Sequence, residues 1–191
     1  MTESQPYDVV ADRDGWQLRH YPPHLVAEVE VSGDFTNAGS RAFGVLVSFI
    51  SGNNIERGKV AMTAPVLQES APDDASATAS GPASDADPDL RRHRVAFVMP
   101  SKYTLATLPV PNDRRITIRE MPAQDMAART FSGRWSERVY RDQLAALRHD
   151  VSADGLEVVG SPRFARFDPP WKPTFLRRNE VLLPILRTTS A

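Results

Sequence analysis

The chain has no cysteine. That absence removes disulfide bridges, thiolate zinc sites, iron–sulfur clusters, cysteine nucleophiles and thiolate-ligated cofactors, and it suits a cytoplasmic protein. Lysine is scarce, at positions 59, 102 and 172 only. The other basic residues are arginine, a preference that reads as genome composition. There is no excess of either charge, with a net charge of −1. A nucleic-acid binder usually shows a basic balance or face, and a membrane-surface helix a cationic one, so neither partner is expected. No apolar run approaches the ~18 residues that span a bilayer. The N-terminal Met1-Thr2-Glu3-Ser4-Gln5-Pro6 has neither the basic start nor the apolar core of a secretory signal. Also missing are a Gly-x-Ser-x-Gly elbow, a phosphate loop and a dinucleotide fingerprint.

What is present is a chain of 191 residues with globular composition, 41% hydrophobic and 25% charged. This is enough for one domain over residues 1–191 with a substantial core. Ser70 to Asp89 is almost free of apolar side chains and reads as a flexible acidic loop. Asp85, Asp87 and Asp89 imitate the start of a calcium loop. However, Leu90 stands where such a loop needs glycine and Ala96 where it needs glutamate.

Two similar halves flank this loop. In the first, the alternating Val26–Val31 strand runs through Ser32-Gly33 into a predicted helix over 34–51, striped by Phe35, Ala38, Ala42, Leu46 and Phe49. In the second, 126–131 runs through Ser132-Gly133 into a predicted helix over 135–151, striped by Tyr140, Leu144, Leu147 and Val151. Ala27 and Ala127, Ser32-Gly33 and Ser132-Gly133, and Phe35 and Trp135 each match at an offset of 100. Further strands are predicted at 16–21, 59–68, 94–99, 115–121, 162–167 and 181–186, with consecutive strands pairing antiparallel. Pro65 must sit at an edge or bulge. The class is α+β, from two β-β-α-β units.

The histidines are His20, His24, His93 and His149. Pro22-Pro23 between His20 and His24 rules out one helical face for a shared metal. His93 lies in a basic string at the loop exit, and His149 near the end of the second helix. Two strings are distinctive: Lys59-Val60-Ala61-Met62-Thr63-Ala64-Pro65-Val66, a buried strand ending in a kink, and Arg177-Arg178-Asn179-Glu180-Val181. The paired arginines would clamp carboxylates or serve structure, for example by pairing with Glu180.

Taken together with Trp16-Gln17-Leu18-Arg19-His20-Tyr21, Phe43–Asn54, Phe97-Val98-Met99-Pro100, Leu108–Pro111, Phe131-Ser132-Gly133 and Pro170-Trp171-Lys172-Pro173, these strings resemble the SOUL haem-binding family along almost the whole chain. The resemblance implies a distorted antiparallel β-barrel flanked by two helices and kinship with bacterial effector-binding domains. It also implies non-covalent binding of haem b or another porphyrin. A flat apolar disc with two propionates needs an apolar slot and cationic partners. By resemblance the slot falls on Phe43 and Val47 of the first helix and Trp171, Lys172 and Phe175 of the last long loop, with Arg41 or Lys172 meeting a propionate. Ser48 stands where some relatives carry a basic residue. His20, in an Arg-His-Tyr string, is the axial-ligand candidate, and His93, carried on a flexible loop, is the second.

Four functions follow from this reading. They are a haem carrier, buffer or sensor; a peroxide- or oxygen-dependent haem-degrading enzyme that releases iron; an effector-binding module for another flat apolar ligand; and a protein-interaction module.

Overall fold

The computed structural model describes residues 3–70, 91–169 and 171–187. The expected acidic loop and its Asp85-Asp87-Asp89 triplet lie outside the described residues, apart from Ser70. Strands β1 (Glu3–Ser4), β2 (Asp8–Arg13), β3 (Trp16–Tyr21) and β4 (His24–Ser32) lead into helix α1 (Phe35–Ile50). Next come β5 (Thr63–Ala64), β6 (Val66–Ser70), β7 (Arg92–Val98), β8 (Ile116–Met121) and β9 (Gln124–Ser132), then helix α2 (Glu137–Ala153). β10 (Glu157–Val158), β11 (Arg163–Arg166), a 3-10 turn at Thr174–Leu176 and β12 (Arg178–Leu186) follow.

The helices form where a capped start meets an apolar stripe. Asp34 caps α1 by accepting from the Thr36 and Asn37 amides, and Ser136 caps α2 by accepting from Val139. The α1 stripe Phe35, Ala38, Ala42, Leu46 and Phe49 is buried throughout. Gly33 and Gly133 hold φ of 132° and 123°. This left-handed backbone turns each strand into its helix, and glycine adopts it without steric cost.

Ten strands make one sheet in the order β2-β3-β9-β12-β11-β6-β7-β4-β8, with β10 on β12; β1 and β5 pair separately and in parallel. An offset of 100 residues exchanges β3 with β8 and β4 with β9, smaller offsets exchange β6 with β11 and β7 with β12, and this exchange reverses the order from β3 to β8. The internal repeat is therefore a pseudo-twofold of the sheet itself.

Three expectations change. β3 and β4 are consecutive but not partners. β3 pairs with β9 and β4 with β8, so each half lends a strand to the other. Tyr21 faces Gln124 and His24 faces Met121, so the two ladders keep one register across Pro22-Pro23 and Pro122-Ala123. Secondly, no described pair joins β2 to β8, so the expected distorted barrel has no closing ladder between its end strands, and the proline corners join β3 to β4 and β8 to β9. Thirdly, residues 59–62 form no strand. The Val60 amide donates to Ile50 O and its side chain is buried at the end of α1, while Ala61 and Met62 stay exposed. Pro65, after a cis peptide, falls between β5 and β6, where no ladder donor is required.

Both helices cover the same face of the sheet. α1 lies over Ala27, Val29, Val95 and Phe97, and α2 over Ala127, Val181 and Leu183. The helix-free face carries a third apolar cluster, including Tyr21, Val26, Leu67, Met126 and Leu182.

Candidate functional site

The exposed side of α1 and the link between β11 and β12 carry most of the residues expected at a ligand site. Phe43 and Val47 are four residues apart and share one helix face. The Phe43 ring packs edge-on to Phe97, with centroids 5.4 Å apart, yet stays 38% exposed. Arg41, on the same helix, donates from Nη1 to Ser32 O at 3.3 Å.

The β11–β12 link shows large apolar side chains to solvent, with Trp171 84% and Phe175 72% exposed. This exposure is not fraying. Asp168 accepts from the Arg178 amide at 2.6 Å and from Lys172 Nζ at 2.7 Å. Arg177 Nε donates to Lys172 O, and the Gly133 amide donates to Thr174 O. The backbone is pinned while its aromatics face outward. Phe97, beneath Phe43, pairs with Val66, and Val66 pairs with Arg166, where the link begins. Two strand spacings, about 10 Å, therefore separate the α1 group from the start of the link.

His20 lies elsewhere. Its Nδ1 meets Asp125 Oδ1 at 2.7 Å, and Asp125 also accepts from Arg187 Nε at 2.5 Å. A carboxylate on one ring nitrogen fixes the tautomer and turns the other outward, the arrangement metal-ligating histidines use. Asp125 is the second residue of β9, whereas Ser132, at its other end, pairs with Arg178 beside the link. Seven steps along a strand come to about 23 Å. His20 thus sits seven strand steps from the end of β9 that adjoins the link.

His93 is not on a swinging loop. It is buried in β7, edge-on to Phe35, with Nε2 unpartnered, because β7 begins earlier than its sequence pattern indicated. His24 donates from Nδ1 to Pro22 O and accepts at Nε2 from the Gln5 amide. His149 is exposed on α2. No group of three potential metal ligands occurs among the described residues, and no described helix is long and apolar enough to cross a membrane.

The sequence reading missed the ion network on the helix-free face. Glu180 is fully buried and accepts from Arg19 Nη1 at 2.8 Å and Nη2 at 3.2 Å, from Arg178 Nη2 at 2.6 Å and from Thr130 Oγ1 at 2.9 Å. Its only trace in the sequence was the Arg178–Glu180 spacing on one strand face. Burial opposes the Arg19 charge, but the Glu180 hydrogen bond and charge more than offset it, and its pKa is raised. Burial also pushes the Tyr21 hydroxyl up to about 12.

Burial lowers the pKa of both His24 and His93. The unfolded chain takes up these protons near pH 6.5, before the folded protein does. Stability is therefore complete above pH 6.5 and falls as pH drops below it. Glu28, raised by burial, acts in the opposite sense but in the carboxylate range. The urea midpoint is expected to be lower at pH 5.5 than at pH 7.5, and the difference smaller in His24→Gln/His93→Gln. An equal midpoint at both pH values refutes this.

The sequence matches the family model for SOUL heme-binding protein over residues 2–184. It is 29% identical over 173 residues to heme-binding protein 1 of Xenopus laevis, covering 89% of this chain and 84% of that one. It is 27% identical over 151 residues to human heme-binding protein 2, covering 78% and 68%. The C-terminal domain of EcmrR shares the fold with a TM-score of 0.64 at 14% identity, over 95% of this chain and 98% of that one. With a family match running from β1 into β12 and the doubled β-β-α-β architecture beneath it, this chain belongs to the SOUL heme-binding protein family.

Proposed function

We propose that this protein holds haem b, or a related tetrapyrrole, non-covalently as a carrier or buffer, on the surface between α1 and the β11–β12 link. One observation carries the reading: a hydrogen-bonded loop presents Trp171 and Phe175 to solvent, and Phe43 of α1 is half-exposed. Large exposed apolar patches on pinned backbone mark binding surfaces. A macrocycle laid across them would exchange water for apolar contact on both sides. Arg41, held among the described residues by a backbone carbonyl alone, suits a propionate better than Lys172, which already pairs with Asp168.

Haemin titration followed by the Soret band and by tryptophan quenching is the test. A saturable shift near one equivalent is expected, and Trp171→Ala should weaken it roughly tenfold, about 1.4 kcal/mol. An unsaturable shift, or an unchanged affinity in Trp171→Ala, overturns the placement. His20→Ala should leave the spectrum unaltered. If the spectrum changes instead, the macrocycle belongs at the Asp125-oriented imidazole. Peroxide added to the complex separates holding from degradation, since a holding protein keeps its Soret band without forming a linear tetrapyrrole.

A further inference from the structure

On the side of the molecule where β3 turns into β4, a groove of about 480 Å³ lies between the N-terminal segment 3–6, the Pro22–Leu25 corner and residues 98–106. That volume falls within the range of small-molecule sites. Its walls are mainly apolar, with Leu25, Val98, Met99 and Leu105 beside the Tyr103 ring. Its formally charged side chains share one sign. Glu3 and Glu120 line it, and no arginine or lysine does among the described residues. Glu3 is committed to the amide and hydroxyl of Ser101. Glu120 is exposed, and its carboxylate makes no hydrogen bond or ion pair with any described residue. His24 adds no positive charge, since burial lowers its pKa.

A tetrapyrrole with two propionates is a poor match for this groove, because its carboxylates would face two others, and the neighbouring cation, Lys102, lies outside the lining. A positive ligand is a better match, and a ring in the wall already faces a cation. Lys102, just outside the lining, places Nζ 5.0 Å from the centroid of the Tyr103 ring. An aromatic face that draws the neighbouring ammonium would draw a ligand cation in the same way. We infer that this groove is a second ligand site, separate from the α1 surface, for a small organic cation with a flat apolar body, such as an aromatic amine or quaternary ammonium. The apolar body would lie on Leu25, Met99 and Leu105, and the charge between Glu120 and Tyr103.

The test uses two dyes with the same xanthene ring and opposite charge, rhodamine 6G and fluorescein, titrated into the full chain by fluorescence anisotropy. Saturable binding of rhodamine 6G near one equivalent, with none of fluorescein, is expected. Glu120→Gln should weaken it three- to fivefold, as for an exposed ion pair, and Glu120→Gln/Tyr103→Leu about tenfold. Lys102→Ala, which frees the ring, should tighten it. Trp171→Ala should leave it unchanged, and saturating haemin should not displace the dye. Equal binding of both dyes, no saturation with rhodamine 6G, or wild-type affinity in the double variant overturns the site. Loss of the dye in Trp171→Ala or its displacement by haemin would make the two sites one and also overturns it. Failure of the haemin titration alone leaves this result intact.

Discussion

Glu180→Gln is expected to cost about 3–5 kcal/mol of folding stability, as removal of one partner from a buried ion pair does. The substitution preserves shape and deletes only charge. Arg19, with its side chain 3% exposed, would then keep a positive charge in the interior with no anion beside it. Arg178 is 41% exposed and can turn to water, so Arg19 dominates the loss. Against a typical total of 5–15 kcal/mol this is a large fraction. In urea the midpoint should fall by roughly 2 M. The control is Arg19→Met/Glu180→Leu, which removes both charges and fills the space. It should recover most of the stability, because a buried pair contributes little over well-packed apolar residues. Glu180→Gln within 1 kcal/mol of wild type, or a double variant no better than the single, would show that Arg19 reaches water.

Local pattern was enough to read the helices. The α1 stripe and both Ser-Gly turns appear where the 3.6-residue period and the glycines place them. The fold class, too, follows from the order of strand and helix signals. Strand pairing was less legible, because alternation names a strand's faces and not its neighbour. Nothing in Trp16–Tyr21 says that its partner lies at Gln124–Ser132 instead of the adjacent His24–Ser32. Short edge elements such as β1 were also invisible, since two residues carry no period. At the site, exposed aromatics are recognisable only once burial is known. Phe43 looks like a core residue in sequence, and Trp171 gives no sign of facing solvent. The separation of His20 from that surface is a matter of register along β9, which no local string encodes. The Glu180 network draws on β3, β9 and β12 and could be assembled only by folding.

Phe35→Ala is expected to cost about 3–5 kcal/mol, and more than its buried area alone implies. Phe35 opens α1 in the first half, yet its ring lies 5.6 Å from Trp135, 5.6 Å from Tyr140 and 5.3 Å from Phe164, all in the second. His93 meets it at 5.9 Å. Each such ring pair adds about 0.5–1.5 kcal/mol beyond area. Truncation would leave a void among four rings that their neighbours hold in place, as Tyr140 is held by its hydroxyl on Asn179. Because the pseudo-equivalent residues Phe35 and Trp135 touch, they join the two repeats. Phe35→Ala and Trp135→Leu should therefore be non-additive by about 0.5–3 kcal/mol. Phe49→Ala, in the separate cluster under α1, should add to Trp135→Leu within about 0.5 kcal/mol. Equal coupling in the two pairs would mean that the sheet alone holds the repeats together and that the aromatic junction is ordinary core.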